Sequence, residues 1–138
     1  MKVEIFHPES GKDDIIEIDN FDTWSMDFTL APIILPMLIQ LRATKHGSPA
    51  VDEKDVPEEL WAPEGQISGL YYGEPDDNYH KRWDWVMDEM IYAFDCKANK
   101  EDVFMRFDIK DKESMDKEQA RISNGFRLFG KYFENLWD

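Results

Sequence analysis

The chain has 138 residues, enough for one hydrophobic core and too few for two ordinary domains, so we predict a single domain over residues 1–138. Its 30 acidic and 16 basic residues give a formal net charge of −14 at pH 7, which disfavours nonspecific binding to nucleic acid or anionic membranes because the field repels both. Hydrophobic residues make up 42% and aromatic residues 14%, too much for a disordered chain.

Two features of the sequence bear on the cellular compartment. The N-terminal sequence MKVEIFHPES lacks the long apolar segment of a secretory signal, and the lone Cys96 cannot form an internal disulfide. The apolar run from Leu30 to Ile39 is about half as long as a bilayer requires and contains two prolines, which predicts no membrane span. The expected location is therefore the cytoplasm.

The first predicted elements are a β-hairpin and a helix. Residues 2–6 and 13–18 are short, partly alternating, β-rich segments on either side of a turn signal. Ser25 is a candidate N-cap for a helix that should continue to about Lys45, where a Gly-Ser-Pro sequence stops it.

Two prolines lie four residues apart inside this predicted helix. Pro32 and Pro36 each lack an N–H and clash with the carbonyl four residues earlier, so they are predicted to kink the helix. Because apolar residues surround both prolines, we expect a buried helix at the centre of the molecule.

A long loop and a second helix follow. Residues 46–78 are rich in glycine and proline, whereas residues 79–97 place apolar side chains at helical spacing. Residues 103–109 can form a strand added to the hairpin.

The last predicted helix, residues 113–137, has the most regular apolar stripe of the chain, with steps of three and four residues. Gly125 and Gly130 weaken this helix and indicate close approach of a backbone, a neighbouring helix or a ligand. The predicted fold is α+β and predominantly helical, with three main helices, the first proline-kinked and central, and a small N-terminal β-hairpin.

Three segments of the chain carry a family resemblance. They are WSMDFTLAPIILPMLIQLRATKHGSPAVDEKDVPEEL (residues 24–60), RWDWVMDEMIYAF (82–94) and RISNGFRLFGKYFENLWD (121–138), which together make up roughly half of the chain. These segments resemble a family of small, mostly uncharacterised accessory proteins of tailed bacteriophages. The resemblance implies a viral accessory protein made in the host cytoplasm, and it supplies no catalytic residue.

Basic residues gather near predicted helix ends or beside aromatic residues. Arginine offers a planar fork to phosphate, lysine a point charge, and aromatic faces stack on bases. One interpretation is an anion pocket for a nucleotide or cyclic nucleotide, and the other is that each cation pairs with an acid such as Asp84 or Glu134. The candidate ligand-binding residues are Arg42, Lys45, His46, Arg82, Arg121, Arg127 and Lys131.

Three acidic residues form a second candidate site. Asp84 and Asp88 share one face of the second long helix, and Glu89 lies about 100° further round. Carboxylates and substrate phosphates can hold Mg²⁺, but an exposed acidic helix face is the favoured interpretation. Acids that can complete such a site are Glu113, Asp116 and Glu118.

Familiar enzyme motifs do not occur in the sequence. There is no Gly-x-x-x-x-Gly-Lys loop, no His-Glu-x-x-His, no Cys-x-x-Cys and no Gly-x-Ser-x-Gly, so we predict no cofactor and no catalytic residue. The sequence KHGSP, at the end of the first helix, can present His46 to a ligand, although a simple helix stop is the alternative.

Three function classes remain open. The leading hypothesis is a non-enzymatic phage accessory protein that acts on the host by sequestering a phosphate-bearing signalling nucleotide, which is a counter-defence role. The second is an acidic inhibitor that binds a host protein, and the third is a metal-dependent nucleotide hydrolase. Five tryptophans and nine phenylalanines in so short a chain also favour a homo-oligomer.

Overall fold

The computed structural model describes residues 1–4, 15–63, 75–99 and 111–138. Three long helices and a two-stranded sheet confirm the predicted α+β, predominantly helical fold. In chain order the elements are β1 (Lys2–Glu4), β2 (Ile15–Glu17), α1 (Met26–Thr44), α2 (Tyr79–Ala98) and α3 (Lys112–Lys131), with short 3₁₀ turns at Glu53–Asp55, Glu58–Leu60 and Phe133–Asn135.

The hairpin pairs β1 and β2 in antiparallel register, with Val3 opposite Ile16. Every residue of β2 is exposed, and a two-stranded hairpin has little stability of its own, so the three helices carry the fold. The N-terminal amine pairs with Asp22 at 3.1 Å and ties β1 to the segment before α1. The predicted strand at 103–109 lies outside the described residues.

Helix α1 begins after Ser25, as predicted, and continues through both prolines. Ser25 makes no capping hydrogen bond through its side chain. Pro32 and Pro36 are both exposed, so the carbonyls that lose an N–H partner face water and need no partner in the core. This placement explains how one helix accommodates two prolines.

The central helix is α2, so the prediction of a buried, central first helix was wrong. Helices α1 and α3 each pack along α2, on different sides of it. Within α1 the buried residues are Ala31 and Leu38, whereas ten residues of α2 are buried. The physical reason is that α1 contributes one narrow apolar seam, while α2 presents apolar residues to two neighbours.

The core is built from α2 and the sides of the helices that face it. Met87, Met90 and Val86 of α2 are fully buried, and Leu128 of α3 packs with them. Aromatic side chains meet edge to face around this centre, such as Phe94 and Phe129 with ring centroids 4.8 Å apart. The loop between α1 and α2 closes the core with Val51 and Val56.

Gly125 marks the point where α3 comes closest to α2. A Cβ atom at this position would lie 2.5 Å from Cβ of Ala93 and 2.6 Å from the carbonyl oxygen of Glu89. At Gly130 a Cβ atom would meet nothing within 4 Å. The close approach predicted from the sequence is therefore real at Gly125 and absent at Gly130 within the described part of the chain.

Candidate functional site

Each of the seven candidate ligand-binding cations is paired with a carboxylate. At the seam between α1 and α2, Arg42 Nε donates to Asp88 at 3.0 Å and Lys45 Nζ lies 2.7 Å from Asp84. Arg42 also lies 3.4 Å from Asp84. These cations hold α1 against α2, and α1 supplies both of them from its last turns.

Arg82 is buried and has a structural role. Its guanidinium donates two hydrogen bonds to the carboxylate of Asp76, at 2.9 and 2.6 Å, and a third to the carbonyl of Leu60 at 3.0 Å. Both side chains of the pair are almost completely buried. The hydrogen bonds from Arg82 lower the pKa of Asp76 despite its burial, so the pair stays charged.

Arg121 occupies the seam between α2 and α3. Its guanidinium makes two hydrogen bonds of 3.0 Å to Glu89 and lies 3.6 Å from the ring centroid of Tyr92. The Tyr92 hydroxyl donates to Glu118, and burial together with that hydrogen bond raises the pKa of Tyr92 far above its usual value. The cation–π contact and the ion pair thus both serve helix packing.

The Asp55 carboxylate pairs with two more of the candidate cations. Its buried carboxylate accepts hydrogen bonds from Arg127 at 2.8 Å, from Lys131 at 2.5 Å and from the hydroxyl of Tyr132 at 2.7 Å. Burial raises the pKa of Asp55, but the three donors outweigh it and hold the pKa below 3.8. Burial, followed by the bond to Asp55, raises the pKa of Tyr132 to about 12. This cluster fixes the loop to α3.

His46 lies beside the C-terminal residue of the chain. Its Nδ1 is 2.8 Å from the Asp138 carboxylate, which also accepts a hydrogen bond from the His46 N–H. A surface cavity of about 360 Å³ lies between them and is also lined by Trp137. Nearby, Ser48 Oγ is 2.9 Å from Nδ1 of the exposed His80. Asp138 is one of the residues that line this cavity, and its carboxylate repels a phosphate.

The candidate cations therefore fall into five groups that share no carboxylate. The groups are Arg42 with Lys45, then His46, Arg82 and Arg121 each alone, and Arg127 with Lys131. A phosphate bound at any of them would share the cation with a protein carboxylate, which repels it. Whether any of these residues binds a ligand stays a prediction.

The candidate magnesium ligands are engaged in the same pairs. Asp84 and Asp88 contact Arg42, and Glu89 contacts Arg121. Within the described ranges no group of three histidine, cysteine or acidic side chains is placed to hold a metal ion. The three acids act as partners of cations across helix seams.

A different surface, on α1, has the features of a binding site. Large apolar side chains are exposed along α1 and in the segment just before it, with Trp24 86% exposed and Met37 63% exposed. Among them Phe28 lies at the edge nearest α2, where Lys97 Nζ is 4.5 Å from its ring centroid. We call this surface the outer face. Its exposed large apolar residues are Phe21, Trp24, Met26, Phe28, Leu30, Met37 and Ile39.

Two depressions lie at opposite ends of the outer face. The first, about 620 Å³, is lined mainly by Phe21, Trp24, Phe28 and Pro32. The second, about 420 Å³, is lined by Pro36, Met37, Gln40, Leu41 and Thr44. Apolar atoms thus line concave surface at both ends of one helix.

The helical part of the outer face is free of charge within a strongly acidic chain, whereas Asp22 lines the depression before α1 and pairs with the N-terminal amine. No charged residue occurs between Phe28 and Leu41. The flanking charges are neutralised inside the protein, since Asp27 pairs with Lys97 at 2.9 Å and Arg42 pairs with Asp88. Contiguous exposed apolar surface of this kind marks interaction sites in soluble proteins.

Sequence analysis located this apolar run but assigned it to the core. The sequence did carry a signal for an exposed surface, because apolar residues occur on nearly all sides of α1. Within the described residues a neighbouring helix covers only one of these sides. By length and composition alone α1 is also apolar enough to cross a membrane, a test that core helices of soluble proteins pass as well. In the structure α1 makes ion pairs to α2 near both of its ends, and the absence of a membrane span stays a prediction.

Comparison with family models, with curated proteins and with solved structures gave no match to this chain.

Proposed function

We propose that the chain is a phage-encoded, non-enzymatic accessory protein that acts in the host cytoplasm by binding a protein through the outer face of α1. The observation that carries this proposal is the large, uncharged apolar surface that α1 leaves exposed. Leaving so many large apolar side chains in water is unfavourable by about 25 cal/mol per Å², and covering them with a partner recovers that free energy. The phage origin is supported by the family resemblance of the three segments named above.

A protein partner fits this chain better than a nucleotide. The seven candidate cations already hold carboxylates, and the net charge of −14 repels a phosphate-bearing ligand. A nucleotide would therefore have to compete with a carboxylate for each cation and approach against the field. Nucleotide sequestration at these residues is consequently the less favoured proposal.

Binding also fits better than catalysis. A nucleotide hydrolase of the kind considered needs several carboxylates around a shared cation. Asp84, Asp88 and Glu89 instead neutralise arginines on different seams. The outer face contributes no titratable side chain between Phe28 and Leu41, so it offers contact surface and no acid or base.

Site-specific photo-crosslinking tests the proposal directly. A benzophenone amino acid replaces Met37 on the outer face, and a matched control carries it at Ala120, an exposed position on α3. In bacterial cells that make the protein, irradiation should give crosslinked species from position 37 and not from position 120. Equal crosslinking at both positions, or none at position 37, would contradict a binding role for the outer face.

A separate measurement addresses the nucleotide hypothesis. Native mass spectrometry after incubation with nucleotides, cyclic nucleotides and Mg²⁺ should return the bare protein and unchanged ligands. A retained nucleotide would restore sequestration, and hydrolysed product would restore the hydrolase.

A further inference from the structure

The outer face of α1 is suited to a second copy of this chain, and we propose that the protein forms a two-fold symmetric dimer through it. This inference rests on the proposed function, because it names the partner that covers the same surface. Three properties of the outer face support it: its shape, its area and its charge.

The two depressions of the outer face come together when two copies are antiparallel. The depression lined by Phe21 and Trp24 lies at one end, and the depression lined by Pro36 and Met37 lies at the other. A two-fold axis crossing the middle of α1 brings the aromatic end of each copy to the depression of the other. An interface of this kind uses the same patch on both subunits and closes on itself.

The rise of the α-helix determines which residues of the two copies lie at the same height along the helix axis. If the two-fold axis passes midway between Ile33 and Pro36, Phe28 of one copy lies level with Leu41 of the second copy. Residues equally far from the two-fold axis along the chain lie at the same height because both helices rise about 1.5 Å per residue. The depression around Phe28 and Pro32 is then level with the depression around Met37 and Leu41 of the opposite copy.

The area of the outer face is sufficient for a stable dimer. The exposed fractions of its seven large apolar residues amount to about four fully exposed side chains. At roughly 200 Å² for each side chain, these residues present roughly 800 Å². A standard-sized interface takes about 800 Å² from each partner. The outer face can therefore supply one side of such an interface from these residues alone.

Charge favours a second copy over other occupants. An anionic membrane is repelled by the net charge of −14, and a basic partner finds no carboxylate between Phe28 and Leu41 to pair with. A second copy brings an equally uncharged apolar face, so no unpaired charge is buried. Two copies repel each other only at longer range, through charges that salt screens. Dimer formation should therefore strengthen as salt is added.

Sedimentation of the full chain tests this dimer. At on the order of 10 µM protein, the wild type should sediment with twice the chain mass of 16.4 kDa, and more completely in about 0.5 M than in about 0.05 M salt. Met37→Asp should weaken association about 100-fold or more, because it would bury a carboxylate without a partner. Ala120→Asp adds the same charge on α3 and should leave the association unchanged.

The outcomes separate this inference from the proposed function. A wild type that stays monomeric at both salt concentrations overturns the dimer, as does a dimer that Met37→Asp leaves intact. Crosslinking from position 37 then decides the broader proposal. A crosslinked mass other than twice the chain mass keeps a binding role with a different partner, and no crosslink at all removes both. Circular dichroism of Met37→Asp checks that the variant is folded.

Discussion

The outer face of α1 and the seam between α2 and α3 invert the usual distribution of residue types. On the outer face Trp24 and Met37 are exposed, although they are large and apolar. In the seams around α2, Arg82 is fully buried and Glu89 is 9% exposed, although both are charged. Partners explain the difference, because the buried charges are paired and the exposed apolar residues are left without a neighbouring element in the described structure.

This contrast shows that burial follows from available neighbours as much as from side-chain chemistry. Helix α2 packs against two helices and the segment before it, so even its charged residues are covered: Glu89 pairs with Arg121 of α3, and Arg82 pairs with Asp76 just before α2. Within the described residues α1 packs mainly along one helix, so the large apolar side chains of the outer face stay exposed. An apolar surface left exposed in this way is a site for binding.

The largest expected effect concerns the buried pair of Arg82 and Asp76. Arg82→Met should lower the free energy of unfolding by about 3–5 kcal/mol, because it leaves the Asp76 carboxylate buried without its partner. Arg127→Met is the matched control, since Arg127 is half exposed and its partner Asp55 keeps two other donors. The control should lose about 1 kcal/mol in urea unfolding. Equal losses would mean that the Arg82 pair is accessible to water.

The two glycines of α3 should respond in opposite directions. Gly125→Ala should destabilise the protein by about 2 kcal/mol, because the new methyl group would overlap Ala93 and the backbone of α2. Gly130→Ala should stabilise it by up to about 1 kcal/mol, since the position is open and alanine favours the helix. Thermal unfolding of both variants compares them. A stabilising Gly125→Ala would show that α2 and α3 are further apart than described.

The cluster of Asp55 and Tyr132 predicts how stability depends on pH. The pKa of Tyr132 is raised to about 12, so its contribution is complete below pH 10 and is lost as the pH rises towards 12. The wild type should lose about 2–3 kcal/mol more than Tyr132→Phe over this range. The alkaline loss that both proteins share comes from other tyrosines such as Tyr92, whose pKa is also raised. The pKa of Asp55 is lowered, so its contribution is complete above its ordinary value of 3.8 and declines as the pH falls below it. Urea unfolding at a series of pH values measures both contributions. If the free energy of unfolding fell equally with rising alkaline pH in the wild type and in Tyr132→Phe, the role of Tyr132 would be contradicted.

The smallest effect is expected on the outer face itself. Met37→Ser should change the free energy of unfolding by at most about 0.5 kcal/mol under dilute, low-salt conditions that keep the protein monomeric. Its neighbour Leu38 is buried against α2, and Leu38→Ser should cost about 3 kcal/mol. Urea unfolding compares the two. Similar losses would place Met37 in the core.

The helices were predictable because their signals are local. The interval predicted for the second helix, 79–97, agrees closely with Tyr79–Ala98, and the first helix ends near the predicted Lys45. The pattern also placed Arg42, Arg82 and the cations of α3 on helices, whereas Lys45 and His46 lie just after α1. It named Asp84 as a partner, which pairs with Arg42 and Lys45.

The remaining pairings and the position of α1 were not predictable in the same way. Arg127 meets Asp55 across 72 residues of chain, and such a contact depends on how helices pack rather than on any local pattern. The side of α1 that would be covered depends likewise on how many elements surround it. An apolar run has the same sequence signature in a core as on a binding surface.

The accessibility of Met37 tests most directly whether the outer face is exposed in the single chain and covered in the assembly. Methionine methyl groups are observed by NMR with a soluble relaxation agent, in the wild type and in Ile39→Asp, with buried Met87 and Met90 as internal references. We predict that the agent broadens Met37 strongly in Ile39→Asp and weakly in the wild type, while Met87 and Met90 are protected in both. A Met37 signal that is protected in Ile39→Asp as well, or equally broadened in both proteins, would contradict the account.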